Sequence, residues 1–380
     1  MTTTINNEHK KLNVPNLRFP EFQGEWEKCK LGEIATICGG YAFNSKELSS
    51  KKGLYQVVKM GNLYQNNLDL SRTPSFINYI DSKSNKVLLH YGDIAITLTG
   101  TNNKRDFGYS YMFTTEQNLL LNQRCGLIRT EHNPYFVYNL VKTNSFLNQF
   151  FESSTGGTGN QANVSTKSME SFSVYIPKSK EQRKIADLLR LLDERIATQN
   201  KIIDKLQSLI KGIADKLFQT ARTTKPLLEF APNITSGTDK SGSGTIPLYG
   251  STGIIGTVKN ASQKGNIVLV ARVGTIGTVQ YVNEPCGVSD NALIVEAGEM
   301  TKYIYHFLKT YNFARITSGT TQPLITASSL KKAAIPTYDI ESQTRIVLCL
   351  NGLEKKLDIA KQYLSEIAVM KQYLLRQMFV

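Results

Sequence analysis

Side chains able to make paired hydrogen bonds to a base edge are concentrated in a few short stretches of this chain. Arginine, lysine, asparagine and glutamine suit that chemistry in the major groove of a duplex. They gather in Thr99-Gly100-Thr101-Asn102-Asn103-Lys104-Arg105, in Asn122-Gln123-Arg124 and in Thr158-Gly159-Asn160-Gln161. A matching set follows later: Arg272-Val273-Gly274-Thr275, Ser289-Asp290-Asn291 and Gly319-Thr320-Thr321-Gln322. Tyr249-Gly250-Ser251-Thr252-Gly253 either sets an aromatic ring and backbone amides beside a phosphate or forms a structural turn. Arg272 is either a reader or a buried structural arginine. Such polar loops also occur as plain turns, and surface Lys and Arg as solvated charges.

Catalytic chemistry finds no comparable cluster. The four histidines (His9, His90, His132, His306) are scattered, and no Ser–His–Asp or metal constellation can be built on them. The five cysteines (Cys29, Cys38, Cys125, Cys286, Cys349) form no CxxC pair, which argues against structural zinc or a disulfide framework. No GxxxxGK[ST] is present, so a phosphate-binding P-loop is not expected. Gly250-Ser251-Thr252-Gly253-Ile254-Ile255-Gly256 lacks both the GxGxxG spacing and a following helical pattern. Asn133-Pro134-Tyr135-Phe136 invites comparison with the Asn-Pro-Pro-Tyr motif of amino-methyltransferases, but it lacks the second proline, and an ordinary helix start explains it.

Composition sets the class. At 380 residues the chain has room for two or three domains. Its 41% hydrophobic content is that of a globular protein, with disorder expected only in the polar tail to about Asn13. No stretch approaches the ~20 apolar residues of a membrane span. A reduced, cytoplasmic protein without membrane attachment is expected. The net charge is +14, and each long segment carries a small excess of Lys and Arg rather than one polybasic tail. That spread suits a protein lying along a polyanion, although a basic protein with no acidic partner has the same composition.

The elements that must position the polar stretches come in duplicate. Gln161, Val164, Ser165, Met169, Gln182, Ile185, Leu189 and Leu192 reappear 161 residues later as Gln322, Ile325, Thr326, Leu330, Gln343, Ile346, Leu350 and Leu353. A period this long is no solenoid, whose units run to ~20–50 residues. It indicates two copies of one large unit, each ending in a helix. In the first, strands are expected at Tyr55–Lys59, Asp93–Leu98 and Ser173–Ile176, a helix at Pro134–Phe151, and a polar loop at Ser153–Gln161. In the second, Leu227–Ala231 matches Leu31–Ala35, Gly265–Leu269 matches Gly92–Ile96, and a helix over Lys302–Thr310 matches Tyr135–Thr143. Similarity is weak between the globular parts and strong in the helices, so a shared fold with different surfaces is expected.

The helices carry a sustained stripe with alternating spacings of four and three, the mark of a coiled-coil seam. It runs Ile185, Leu189, Leu192, Ile196, Gln199, Ile203, Leu206, Ile210, Ile213, Leu217. The second runs Ile346, Leu350, Leu353, Leu357, Ala360, Leu364, Ile367, Lys371, Leu374, Met378. Gln199 and Ala360 interrupt the stripes at equivalent places and could fix register. Each stripe spans ~50 Å at ~1.5 Å per residue. Either each helix covers its own domain, or the two pair antiparallel; the second arrangement is preferred, because it holds one globular part at each end.

Val14-Pro15-Asn16-Leu17-Arg18-Phe19-Pro20-Glu21-Phe22, followed by Glu25-Trp26 and Leu31-Gly32-Glu33, resembles the opening of specificity subunits of Type I restriction–modification systems. So does Ile176-Pro177 with Glu181-Gln182-Arg183-Lys184-Ile185-Ala186. In the second unit, Pro247–Gly256, Arg272-Val273-Gly274-Thr275-Ile276-Gly277 and Ser289-Asp290-Asn291-Ala292 are similar to a target-recognition domain of that family. The resemblance covers about residues 14–380. It departs locally at Pro336–Gln343, a looser version of the turn into the second long helix.

The resemblance implies a mixed α/β fold: two pseudo-dyad-related α/β target-recognition domains separated by two long helices forming an antiparallel coiled coil. The expected boundaries are an N-terminal tail (1–16), a first recognition domain (17–179), a central long helix (180–222), a second recognition domain (223–339) and a C-terminal long helix (340–380). It further implies a non-catalytic subunit that reads a bipartite sequence in double-stranded DNA, the helices setting the spacer and docking two methyltransferase subunits. No cofactor or metal is expected on this chain. S-adenosylmethionine and ATP with magnesium belong to partners that methylate adenine at N6 and, where two restriction subunits join, translocate and cut DNA. Half-sites about one helical turn (~34–36 Å) apart fit helices of this length. The alternative is a coiled-coil structural adaptor whose globular ends bind protein or glycan; a self-sufficient methyltransferase or nuclease is disfavoured by the missing motifs.

Overall fold

The computed structural model describes residues 13–156, 160–221, 223–319 and 323–380. Most of the N-terminal tail, Thr158-Gly159 and the candidate readers Thr320 and Gln322 lie outside the described residues. The chain divides into two compact units, Met1–Ala197 with Ser365–Val380, and Thr198–Leu364.

The first unit is built on a four-stranded antiparallel sheet ordered Ala35–Gly39, Cys125–Thr130, Ile94–Thr97, Ser110–Met112. Ile94, Ala95 and Ile96 are fully buried, the continuous apolar run that a strand covered on both faces requires. A three-stranded sheet sets Tyr55–Val58 between the parallel strand Leu119–Leu121 and the antiparallel strand Phe76–Ile77. Glu27–Lys30 pairs with Ser173–Ile176.

Two local expectations are corrected. The single helix anticipated over 134–151 is two, Pro134–Leu140 and Asn144–Glu152. Thr143 makes the break: its hydroxyl donates to the Leu140 carbonyl (2.8 Å) and accepts from the Phe146 amide (3.3 Å). One side chain thus satisfies an orphan group on each helix end. The anticipated polar loop 153–161 is also partly strand. Thr155–Gly156 pairs with Gln161–Asn163, which in turn pairs with Thr99–Thr101.

The second unit repeats the four-stranded sheet, the three-stranded sheet around a central strand and the closing strand pair. Its four-stranded sheet is ordered Thr235–Ser236, Ala292–Val295, Ile267–Ala271, Val279–Val282. Ile246–Tyr249 lies between the parallel strand Gly287–Val288 and the antiparallel strand Ile254–Val258. Thr223–Pro226 pairs with Ala334–Thr337, and the helix is Thr301–Thr310. The shared fold expected from weak similarity is present.

A glycine is required at the same place in both units. A Cβ on Gly40 would lie 2.1 Å from the Asn122 carbonyl oxygen, and one on Gly237 would lie 2.2 Å from that of Val288. Backbone on both sides leaves no flexible atom to yield. Gly40→Ala is expected to lower the unfolding free energy by about 1–3 kcal/mol or more. Gly39→Ala, where nothing stands within 4 Å, is expected to be far milder; urea denaturation of the two variants compares them.

The long helices are Ser179–Gln219 and Ile340–Gln377, and every residue of both stripes is buried or half-buried. In the first unit, Ile185, Ala186 and Leu189 from the start of the first helix share a buried cluster with Leu375, Met378 and Phe379 from the end of the second. Phe379 stacks on Phe136 (5.2 Å) and meets Trp26 edge-on (6.2 Å). In the second unit, Phe218 does the equivalent against Tyr303 and Phe307 (5.5 Å each), beside Ile346 and Leu350. Gln199 Nε2 donates to the Ala360 carbonyl at 3.0 Å, and Ala214 shares a cluster with Leu350. Partners therefore retreat along one helix as the other advances, and the pair is antiparallel.

Each long helix is opened by the same device. Gln182 Nε2 donates to the Pro177 carbonyl and Gln343 Nε2 to that of Tyr338, both at 2.8 Å. Only the first adds a buried ion pair. Glu181, 2% exposed, accepts from Arg18 Nε and Nη2 at 2.8 Å each and from the Trp26 indole at 3.3 Å.

Candidate nucleic-acid interface

Three backbone crossings bring the polar stretches together, and both units make them alike. Leu98 N donates to Arg124 O as Arg272 N does to Asn291 O (3.0 Å each). Asn122 N donates to Val58 O (3.0 Å) as Ser289 N does to Tyr249 O (2.9 Å). Val164 N and Ile325 N donate to the carbonyls of Leu98 and Arg272 (3.0 Å each). The scaffold at the end of each sheet is thus the same, and the side chains on it differ. Where the second unit has Arg272, the first has the buried Leu98.

In the first unit the strand Thr99–Thr101 and its partner Gln161–Asn163 form one wall of a cavity of about 300 Å³. Thr101, Arg124, Asn160 and Gln161, drawn from all three candidate stretches, line it together. The turn beyond Thr101 is locked from within. Asp106 accepts from the Thr101 amide (2.8 Å) and hydroxyl (2.6 Å), bonds that hold its carboxyl below the usual range. Asn103 takes a left-handed φ of 60°, which asparagine tolerates. Asn102, Asn103 and Lys104 are exposed on this turn, as are Gln123 and Arg124 on theirs; Asn122 is half-buried.

Arg105 departs from its neighbours. Its guanidinium lies 5.0 Å over the Phe151 ring and lines a different cavity with Asn148. Residues that sequence reasoning did not single out also line the Thr101 cavity, Tyr64, Arg72 and Tyr109 among them. Tyr64 comes from a hairpin, Leu63–Tyr64 with Asn67–Leu68, and its ring meets that of Tyr109 edge-on at 5.5 Å. An exposed Tyr on a hairpin and a lone Arg just beyond it carry little sequence signal; only the fold brings them to the reading strand.

In the second unit the same crossings bring Tyr249, Arg272 and Asn291 together, and Ser251 joins them through its hydroxyl, which a Cβ on Gly274 would meet at 3.9 Å. Gln280 Nε2 holds the 249–253 turn by donating to the carbonyls of Gly250 (2.9 Å) and Ser251 (3.3 Å). The Tyr249 hydroxyl donates to Glu284 (2.7 Å); burial and then that carboxylate push it up to about 12. The Gly250 amide is used within the turn, donating to Gly253 O. That amide is thus unavailable for the phosphate cradle considered for this turn. Arg272 is half-buried, and its Nε has no hydrogen-bond partner among the described residues, unlike a structural arginine tied into an ion pair. Thr252, Thr275, Asp290 and Asn291 are exposed. Among the described residues no group of three or more His, Cys, Asp and Glu could hold a metal ion, and no helix is long and apolar enough to cross a membrane.

Two copies of one α/β unit, alike in backbone and unlike at the loop tips, define a class of paired recognition scaffolds. The chain belongs to the Type I restriction modification DNA specificity domain family, whose model matches residues 23–208 and 224–369. It is 22% identical over 218 residues to a putative type I restriction enzyme MjaX specificity subunit of Methanocaldococcus jannaschii, covering 55% of this chain and 49% of that one. It is 26% identical over 202 residues to the type I restriction enzyme MjaVIII specificity subunit of the same organism, covering 53% and 43%. The matches thus span about half the length of these relatives. Its fold is shared by the S subunit of a Type-I restriction-modification system from M. genitalium (TM-score 0.65, 18% identity, 97% of this chain and 99% of that one). A chain of a type I R-M system solved in a study of complex assembly and conformational transition is also similar (TM-score 0.55, 14% identity, 92% and 96%). The structural-adaptor alternative finds no support among these relatives.

Proposed function

We propose that this chain is the DNA-reading subunit of a type I restriction–modification complex, each unit reading one half of a bipartite target in double-stranded DNA. The observation that carries this reading is the pair of matched scaffolds with different side chains at their tips. A duplicated backbone offers the same approach to a duplex twice, and unlike readers give unlike half-sites. Thr101, Arg124, Asn160 and Gln161 with Arg72 are the proposed readers of the first unit, and Ser251, Arg272, Thr275 and Asn291 those of the second. Exposed Asn102, Asn103, Lys104, Gln123, Thr252 and Asp290 flank them.

The partners in this proposal are two copies of one methyltransferase subunit, which would bring S-adenosylmethionine and the catalytic groups; restriction subunits would bring ATP-driven cleavage. Apolar residues exposed on the long helices recur at the repeat distance, Ile202 and Leu209 as Tyr363 and Met370, which suits two copies of one partner. A cytoplasmic location follows from this role. The test is binding of the chain with its methyltransferase partner to a pool of random duplexes. Enrichment of one interrupted sequence, weakening steeply with salt, is expected, and failure to prefer any duplex ends the reading.

The helices carry their own prediction. Inserting or deleting whole turns between Ile196 and Ile210 and at the matching place in the second helix is expected to change the unread spacer. The half-site bases should stay the same. Mapping methylated adenines checks this; a changed half-site with an unchanged spacer would contradict it.

A further inference from the structure

The two units carry equivalent side-chain clusters where the globular part meets the long helices, and the clusters are balanced differently. Lys309 lies over the Tyr305 ring and ion-pairs with Glu354 at 2.5 Å. Its counterpart in the first unit, Lys142, lies 3.3 Å over the Tyr138 ring. The repeat places Asp193 where the second unit has Glu354, so Lys142 has a carboxylate at hand. That carboxylate is already engaged: Lys371 ion-pairs with Asp193, and the Tyr135 hydroxyl donates to it. Lys371 stands at the position that Ile210 fills in the second unit. At this position of the first unit a cation has therefore taken the acid that balances the lysine in the second.

This leaves a surplus of positive charge around a cavity of about 670 Å³ lined by Lys142, Lys371 and Arg105, with Asp193 its only carboxylate among the described residues. Asn144 and Asn148 add amides to the wall. The equivalent cavity of the second unit is about 350 Å³ and also carries three cations, Lys211, Lys309 and Lys361, beside one carboxylate, but there Lys309 itself is closed on Glu354. Lys142 is half-buried and Arg105 exposed, and a charge partly withdrawn from water without a counter-charge of its own is costly unless something supplies one. Three cationic side chains with amide donors beside them match a tetrahedral oxyanion of the phosphoryl type.

We propose that the first-unit cavity between Lys142, Lys371 and Arg105 is a binding site for a phosphoryl oxyanion. The same chemistry is offered by a free phosphate compound and by a backbone phosphate of bound DNA. Arg105 belongs to the loop that carries Thr101, so a duplex at the reading strand has a route to the site. The groups facing Lys142 fix the pH behaviour: Lys371 opposes its charge, Asp193 favours it, Arg105 is a further cation on the same wall, and Tyr135 and Tyr138 stay neutral. Burial, reinforced by Lys371 and partly offset by Asp193, brings Lys142 down to about 7 from an ordinary 10.5. In the empty site its charge is present below that pH and lost above it, and a bound anion draws the proton back.

The experiment titrates the full chain with inorganic phosphate by calorimetry. Sulfate serves for the pH series, because phosphate itself titrates in that range. Sulfate affinity is expected to fall as pH rises through about 7. Lys142→Met should weaken binding about tenfold or more, while Lys142→Arg keeps it and removes the pH dependence. Lys371→Ile places the second unit's residue at that position; it should free Asp193 for Lys142 and also abolish anion binding, with Lys142 untouched. Circular dichroism checks that each variant is folded. If the wild type binds neither free anion, the duplex arm decides. Lys142→Met should then lower the slope of log K against log salt by about 0.9, one phosphate contact. Equal anion binding by wild type and Lys142→Met, or no anion binding together with an unchanged salt slope, overturns the proposal. The free-anion arm needs no DNA, so it stands or falls apart from the reading of the chain as a DNA-recognition subunit.

Discussion

Replacing residues 223–339 by the same stretch of another family member is expected to rewrite one half of the recognised sequence and leave the other intact. The stretch runs from the strand Thr223–Pro226 through its partner Ala334–Thr337, so its two ends are already hydrogen-bonded neighbours and the graft opens no loop. The second unit's proposed readers, from Ser251 to Asn291, all lie inside it. Affinity for the original target should drop toward the non-specific level, a loss of about a thousandfold or more, while the chimera gains a target with one new half. Sequencing of methylated sites in cells carrying the chimera gives the answer. Loss of both halves together would show that the units do not read independently.

The second large effect is on stability. Glu181→Leu leaves the Arg18 guanidinium without its carboxylate in a site where Glu181 is 2% exposed, and it removes the acceptor of the Trp26 indole. Breaking a buried pair by deleting one partner costs about 3–5 kcal/mol. Arg18→Leu with Glu181→Leu should be much milder, because no charge is then left unpaired. Urea denaturation of the two single variants and the double variant separates the cost of a stranded charge from the worth of the pair. A double variant as unstable as Glu181→Leu would mean that packing around the side chain, not its charge, matters most.

The sequence was most informative where one physical requirement acts alone. Coiled-coil packing needs apolar residues at a fixed spacing, and every position of both stripes proved buried or half-buried. Lys371 stands in that stripe as a visible exception, and its partner Asp193 lies on the other helix. The helix break at Thr143 was also legible in principle, since Lys142-Thr143-Asn144 interrupts an apolar run. An interior Thr is compatible with a continuous helix, however, and only its two hydrogen bonds show which it is.

The reading surface was less legible, because its members come from far apart in the chain. Thr101, Arg124 and Gln161 share a cavity as the loop composition suggested, yet Arg105, a few residues from Thr101, lines another. A tight turn reverses direction over those residues, and composition carries no sign of which way each side chain goes. Tyr64 and Arg72 reach the same cavity from a hairpin region whose sequence does not resemble a base reader. The cradle of free amides that composition allows at Tyr249–Gly253 is narrowed for a similar reason: the Gly250 amide closes the turn itself.

The bond between Gln199 and the Ala360 carbonyl joins residues 161 apart, the repeat distance itself. Elsewhere along the helix pair a side chain faces a different position of the other copy; here it faces its own counterpart. Identical side chains across such a point must solve a symmetric problem, since whatever one donates the other also donates. A side chain that bonds to backbone escapes the problem, because every residue type brings a carbonyl. One copy could therefore drift to alanine without losing the bond. At the centre of the seam the two helices therefore need not carry the same side chain.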